Sequence, residues 1–84
     1  MAETNQDFAG LVECIVRPLV DSEEDLYVTS RQEDDGTIFI EIEVNPDDTG
    51  KIIGRQGRVI KSIRTLARAA ASRNDMHVEV EILD

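Results

Sequence analysis

The sequence has little of several residue types: no tryptophan, one tyrosine, two phenylalanines and one cysteine among 84 residues. This length predicts one domain, and its core must be mainly aliphatic. The lone cysteine, Cys14, excludes an internal disulfide and favours a reducing compartment. No apolar run approaches the roughly 20 residues of a membrane span, and the acidic first seven residues lack a signal-peptide pattern. These absences predict a cytoplasmic protein without a membrane segment.

Residues for metal binding and catalysis are also scarce. The single histidine, His77, has no second histidine with which to form a catalytic pair or a metal site. Asp21, Glu23 and Asp25 alternate as in a calcium loop, but Leu26 stands where that loop requires glycine. We therefore expect no enzymatic activity, no cofactor, no metal and no small-molecule substrate.

The charge of the chain is strongly segregated. The net charge is −9, which on average opposes binding to a polyanion. The alternative is that surface charges are segregated by chance, but seven bases without an acid between residues 50 and 73 form a long run for a chain of net charge −9. Because fields decay over roughly 8 Å at physiological salt, a ligand responds to the local charge. From residue 50 to residue 73 the local charge is +7, with no acid and seven bases: Lys51, Arg55, Arg58, Lys61, Arg64, Arg68 and Arg73.

Apolar periodicity in the first half predicts a helix followed by a hairpin. Asp7 is a suitable N-cap, and Pro18 should bend or end the helix near its last turn. Alternation predicts strands over residues 26–32 and 37–44, joined by an Asp-Gly turn. The helical stripe repeats at a spacing of three to four residues and consists of Phe8, Leu11, Val12, Ile15, Val16 and Leu19.

The second half predicts two helices and a last strand, giving the order αββααβ. Pro46, capped by Asn45, opens a short helix that ends at Gly54, and residues 58–74 form a longer helix. The last strand covers residues 76–82 and should pair in parallel with the second strand. The expected apolar face of the longer helix contains Val59, Ile60, Ile63, Leu66, Ala67 and Ala70.

The predicted fold class is α+β, a three-stranded mixed sheet with three helices packed on one face. Each strand is apolar on one side only, so the helices must share that side. The opposite face should repel phosphate and direct a nucleic acid to the helices, because it carries Glu41, Glu43, Glu79 and Glu81.

Two glycines three residues apart, Gly54 and Gly57, separate the two inner helices. Glycine permits a backbone conformation and a close approach that a Cβ would block. The unpaired N–H groups at the start of the longer helix attract an anion, and Arg55 projects beside them. A bare Gly-x-x-Gly is also found in ordinary helix–helix turns, so the flanking sequence decides its significance.

The sequence that flanks Gly54 and Gly57 resembles that of the KH domain. Ile52-Ile53-Gly54-Arg55-Gln56-Gly57-Arg58-Val59-Ile60 lies between two helices of a β-α-α-β unit, and the preceding helix and strand resemble the type II arrangement. The stretches 50–58, 63–66 and 68–71 are similar to small bacterial single-KH proteins of the KhpA type. The resemblance covers residues 8–84, so we expect a disordered leader at 1–6 and a single KH domain at 7–84.

The resemblance implies a cytoplasmic protein that binds single-stranded RNA, an RNA chaperone or post-transcriptional regulator. In this family the Gly-x-x-Gly loop clamps the backbone of about four nucleotides. It also implies a homodimer, or a heterodimer with a KH protein of the KhpB/Jag type. The apolar floor of the groove would come from residues such as Ile52, Ile53 and Ile60. The RNA-binding residues it implies are Lys51, Ile53, Gly54, Arg55, Gln56, Gly57, Arg58, Lys61 and Arg64.

Two further expectations concern aromatic and apolar surface residues. No aromatic residue lies on the helix pair, so we expect little base stacking and modest affinity. The alternative function is a protein–protein adaptor whose partner docks on the sheet or the helices. Phe39 on the polar sheet face, and Val20 and Leu83 near edges, are candidates for such an interface, and Cys14 lies off the apolar stripe.

Overall fold

The computed structural model describes residues 7–83, and the predicted leader at 1–6 lies outside the described residues. Within them the predicted order αββααβ and the α+β class are confirmed. Short 3₁₀ turns at Arg17–Leu19, Glu23–Asp25, Pro46–Asp48 and Arg55–Gly57 connect the main elements. Those elements are α1 (Phe8–Val16), β1 (Tyr27–Gln32), β2 (Ile38–Glu43), α2 (Thr49–Ile53), α3 (Arg58–Ser72) and β3 (Val78–Ile82).

The three strands form one mixed sheet with β2 in the centre. β2 pairs antiparallel with β1, where Phe39 lies opposite Arg31, and parallel with β3, where Phe39 lies beside Glu79. The parallel pairing follows from the helical crossover between β2 and β3, as the sequence predicts. Both outer strands, β1 and β3, therefore have an edge without a neighbouring strand among residues 7–83.

The helices cover the apolar face of this sheet. α1 packs against β1 and α3, and α3 packs against β3. Ile40, Ile42 and Val78 are completely buried beneath them. The alternation of strand side chains thus places the aliphatic residues in one core and leaves the acidic residues on the other side. Among residues 7–83, no helix is long and apolar enough to cross a membrane.

The predicted cap of α1 and its end near Pro18 are confirmed, whereas Pro46 opens a 3₁₀ turn before α2 and α3 ends at Ser72 instead of residue 74. The Asp7 carboxylate accepts a hydrogen bond of 2.8 Å from the N–H of Gly10 and caps α1. α1 ends at Val16, and Pro18 lies in the 3₁₀ turn that follows, since proline cannot donate to the helical ladder. Asn45 caps the turn that leads into α2, and α2 ends at Gly54.

Three residues assigned to apolar stripes are more exposed than predicted. Leu66 is 52% exposed, so its assignment to the buried face of α3 is wrong. Leu11 in α1 and Leu19 in the 3₁₀ turn after it are each 37% exposed. In each helix the core-facing residues form a narrower band than the apolar residues, because one sheet of three strands covers only part of a helix circumference. Leu66 and Leu11 lie outside that band.

Candidate nucleic-acid interface

The Gly54–Gly57 loop has three residues with positive φ. Gly54 has φ 78° and ψ 174°, Gln56 has φ 57° and ψ 25°, and Gly57 has φ 75° and ψ 15°. The first conformation is accessible essentially only to glycine, whereas the other two are left-handed helical. The backbone therefore reverses direction within four residues, and the side chains of Arg55 and Gln56 are exposed.

The two glycines have different surroundings. A Cβ on Gly54 would lie 2.4 Å from Val59 Cγ2 and 2.8 Å from the Val59 backbone nitrogen. A Cβ on Gly57 would have no atom within 4 Å. Gly54 is thus required for the close packing of α2 against α3, while Gly57 opens onto free space where a ligand can approach the backbone.

The start of α3 is open to an anion. Gly57 is its N-cap residue and has no side chain to accept from the N–H groups of the first turn. α3 has 15 residues, and its N-terminal N–H groups and dipole favour a negative ligand. Arg58 at the first position donates to the Gln56 side chain at 3.2 Å, which holds its guanidinium beside the loop.

Cations continue from the loop along α3. At a rise of 1.5 Å per residue, Lys61 lies about 6 Å and Arg68 about 16 Å along the helix axis from Gly57. Arg68 forms an ion pair of 2.7 Å with Glu79, and its guanidinium lowers the pKa of that carboxyl. Within residues 7–83, no carboxylate pairs with the remaining cations of the loop and helix: Arg55, Arg58, Lys61, Arg64 and Arg73.

Lys51 differs from the other predicted RNA-binding cations because two carboxylates hold it. Its ammonium group forms an ion pair with Asp21 and another, of 3.1 Å, with Asp48. These hydrogen bonds, the one to Asp21 above all, raise the pKa of Lys51. An incoming phosphate would have to displace Asp21, so Lys51 is less ready to bind an anion than Arg55 or Lys61.

Asp48 is a structural residue that the sequence did not indicate. Its side chain is 1% exposed and accepts from the backbone N–H groups of Asp21 and Ser22 at 3.1–3.2 Å. The hydrogen bond from Ser22 is the main cause that lowers the pKa of Asp48. Asp48 therefore ties the acidic loop to the start of α2 and so fixes the helix that ends at Gly54. Its sequence position suggested only a favourable dipole contact.

A cavity of about 560 Å³ lies where α3 meets the edge of β3. Arg64 and Val80 both line it, and the Arg64 Nε donates to the Val80 carbonyl oxygen at 3.1 Å. The cavity thus joins the cations of α3 to the strand edge and the sheet face, and its lining consists of Phe39, Lys61, Arg64, Thr65, Arg68, Glu79, Val80 and Glu81.

The residues assigned to an apolar groove floor are mostly inside the core. Ile52 is completely buried and Ile60 is 6% exposed, so the prediction that they form an accessible floor is wrong for both. Ile53 remains half-buried at the end of α2 and can contact a ligand. The helix pair packs Ile52 and Ile60 against the sheet because the small domain needs them for its own core.

The family described as "KhpA/KhpB, KH domain" matches residues 9–82 of the chain. Curated relatives carry the name RNA-binding protein KhpA. The protein of Clostridium perfringens is 45% identical over 73 residues, which cover 87% of this chain and 96% of the relative. The Listeria monocytogenes protein is 42% identical over 74 residues, with coverages of 88% and 96%. That of Bacillus subtilis is 43% identical over 81 residues, with coverages of 96% and 99%.

Among solved structures, a variant of Aquifex aeolicus Era bound to GDP·AlF₄⁻ is similar, with a TM-score of 0.60 and 20% sequence identity. The match covers 96% of this chain and 31% of the Era chain. This likeness shows the fold alone. It indicates that the same architecture also exists as a part of a longer chain.

Proposed function

The chain belongs to the KhpA/KhpB family of KH domains, and from this membership we propose that it binds single-stranded RNA through Gly54-Arg55-Gln56-Gly57. Residues 7–84 would form the single KH domain. The observation that carries the proposal is the open, side-chain-free start of α3 at Gly57, followed by Arg58, Lys61 and Arg64, which form no ion pair with a carboxylate of residues 7–83.

Each predicted site residue then has a role. Gly54 and Gly57 shape the loop, and the N–H groups at the start of α3 bind a phosphate. Ile53 contacts a base from the apolar end of α2. Lys51 supports the loop through Asp21 and Asp48 more than it binds RNA. The cations and amide that contact the remaining phosphates are Arg55, Gln56, Arg58, Lys61 and Arg64.

The proposal extends to location and partners. We place the protein in the cytoplasm, as an RNA chaperone or post-transcriptional regulator. Its second chain would be another copy or a KH protein of the KhpB/Jag type. Two loops on one RNA would raise the overall affinity through effective concentration. The half-exposed Leu66 supports this pairing, since it offers apolar surface on α3 away from the core.

The decisive experiment replaces Arg55 and Gln56 together by aspartate. The double variant changes the local charge by −3 beside the expected phosphates, so RNA affinity should be lost. Both side chains are exposed and neither is needed for packing, so the melting temperature should stay near that of the unaltered protein. Fluorescence anisotropy with a labelled unstructured RNA measures the affinity, and circular dichroism measures the unfolding.

A matched control separates local from overall charge. Arg73→Asp with Asn74→Asp makes the same change of −3 at the other end of α3, about 24 Å along the helix axis from Gly57. Since this exceeds the screening length, RNA affinity should fall only slightly. An equal loss of RNA affinity in both variants would show that RNA responds to the overall charge of the protein and not to a site at the loop. Unchanged affinity in the first variant would remove the loop from the function and favour the adaptor alternative.

A further inference from the structure

The cavity at the β3 edge contains an aromatic ring as well as cations. Phe39 lies on the outer face of β2 and lines this cavity together with Lys61, Arg64 and Arg68 of α3. The sequence places Phe39 and α3 on opposite sides of the sheet. They meet because β3 is an edge strand, and the long cationic side chains of α3 reach past it to the sheet face.

The Phe39 ring is fixed on one side and borders the cavity on the other. The Arg31 guanidinium lies 5.0 Å from the ring centroid, on the side of β1. Arg31 is itself held by ion pairs with Glu33 and Glu41. The cavity lies on the β3 side, where Glu79 is the neighbour of Phe39 in register. A half-buried aromatic ring is thus held in place beside an open space large enough for a planar ligand.

The charges that line this space favour a nucleotide in one orientation. Arg68 and Glu79 neutralise each other in their ion pair, so the remaining charges of the lining are Lys61 and Arg64 on the α3 side and Glu81 on the β3 side. A phosphate is attracted to the α3 side and repelled from the β3 side. A base carries no net charge, and carboxylates accept hydrogen bonds from base amino groups. The base therefore points toward the sheet face and Phe39.

We propose that Phe39 is a stacking site for one nucleobase of the bound RNA, whose backbone leaves the Gly54–Gly57 loop along α3 and crosses the edge of β3. This inference rests on the proposed RNA binding and adds a contact on the sheet face. It also revises the expectation of little base stacking, which was based on the helix pair alone. Aromatic stacking on a base is tolerant of sequence, so the site adds affinity without requiring one particular base.

The test combines Phe39→Leu with a scan of abasic sites through an RNA octanucleotide. Leucine keeps an apolar side chain but removes the ring, so the affinity for the intact RNA should fall about tenfold, the lower part of the range for base stacking. In the unaltered protein, one abasic position should cause a similar loss. In Phe39→Leu that same position should cause no further loss, since the two changes remove one contact.

The chain provides a matched control and a rescue. Tyr27 is an exposed aromatic residue on the same sheet face, 59% exposed and outside the cavity. Tyr27→Leu should leave RNA affinity unchanged. Phe39→Trp keeps an aromatic surface and should restore the affinity and the sensitivity to the abasic position. A loss in Tyr27→Leu equal to that in Phe39→Leu would overturn the assignment to Phe39.

A measurement on the unaltered protein does not depend on any variant. Phe8 is buried in the core and Phe39 borders the cavity, so the two rings give separate proton signals. On addition of the octanucleotide, the Phe39 ring signals should shift upfield by stacking while those of Phe8 remain unchanged. Unshifted Phe39 signals under saturating RNA would overturn the inference.

The outcomes distinguish this inference from the proposed function. If Phe39→Leu binds every RNA as the unaltered protein does, while Arg55→Asp with Gln56→Asp abolishes binding, only the stacking site is refuted. If the loop variant binds as well as the unaltered protein, the proposed function itself fails. If one abasic position weakens binding to the unaltered protein but not to Phe39→Leu, and the loop variant also loses binding, the stacking site and the proposed function are both supported.

Discussion

Gly54 and Gly57 belong to one motif, yet alanine should have different consequences at the two positions. Gly54→Ala places a residue in a backbone region that is essentially restricted to glycine, which costs about 1–3 kcal/mol. Its Cβ also lies 2.8 Å from the Val59 backbone nitrogen, an atom that cannot rotate away. Overpacking of this kind costs a further amount of about 1–3 kcal/mol.

These contributions give a net destabilisation of about 3 kcal/mol for Gly54→Ala, after about 0.4–1 kcal/mol is recovered from the restricted unfolded chain. A domain of this length has about 4–12 kcal/mol of total stability. At about 4–8 °C per kcal/mol, the melting temperature should fall by about 12–24 °C. The variant therefore folds but loses a large share of its stability.

Gly57→Ala should cost only about 1 kcal/mol in stability. Its φ of 75° is left-handed, which costs alanine about 1–2 kcal/mol, but its Cβ meets no atom within 4 Å. In the proposed function the RNA backbone approaches through this open space, so here the methyl group should weaken RNA affinity. Gly36→Ala is the control, because Gly36 has φ 91° and open surroundings in a hairpin turn far along the chain from the loop.

Urea unfolding followed by circular dichroism measures the free energy of unfolding of the three variants. Fluorescence anisotropy measures their RNA affinity. We expect Gly54→Ala to lose more stability than the other two variants. Of the two variants that lose little stability, only Gly57→Ala should lose RNA affinity. If the slope of the unfolding free energy against urea concentration is the same in the variants and the unaltered protein, the variants unfold to equally expanded states. If Gly57→Ala destabilised the domain as much as Gly54→Ala, the division of roles between the two glycines would be incorrect.

Two further predictions concern salt and pH. RNA affinity should fall by about 2–3 log units per tenfold increase in salt concentration. Three to four of the cations Arg55, Arg58, Lys61 and Arg64 would each neutralise one phosphate, and each neutralised phosphate contributes about 0.7 log units per decade of salt. A titration that shows no salt dependence would contradict this prediction. Because the pKa of Asp48 is lowered in the folded state, its stabilisation is present above about pH 3.9 and is lost as pH falls through the lower folded pKa. Asp48→Asn should therefore lower the melting temperature at neutral pH and flatten the decline of the melting temperature as pH falls below about 3.9. Thermal unfolding at a series of acidic pH values measures this, and a decline as steep as in the unaltered protein would exclude Asp48 as its source.

The contacts of Lys51 show why an acid-free run of bases does not by itself define an RNA surface. Lys51 and Arg55 are equivalent in charge and lie four residues apart in the sequence. Only the fold brings Asp21, thirty residues away, onto Lys51 and leaves Arg55 without a carboxylate partner within residues 7–83. The effective positive surface thus begins at the loop and extends along α3, rather than covering the whole segment.

The sequence by itself determined the order of the elements, the mixed sheet and the position of the loop. These features depend on local signals: the alternation around Ile40, the cap at Asp7, the break at Pro18 and the two glycines. Each signal acts over a few residues, through backbone geometry or the side on which a side chain lies, so a linear reading is sufficient. The family resemblance depends on the same local residues.

Only the tertiary structure decided which of these side chains are available. Burial and ion pairing depend on residues distant in sequence, so neither the exposure of Leu66 nor the burial of Asp48 could be predicted from periodicity. The meeting of Phe39 with the cations of α3 is of the same kind. It arises because β3 is an edge strand, which allows side chains from the helical side to reach the opposite face of the sheet.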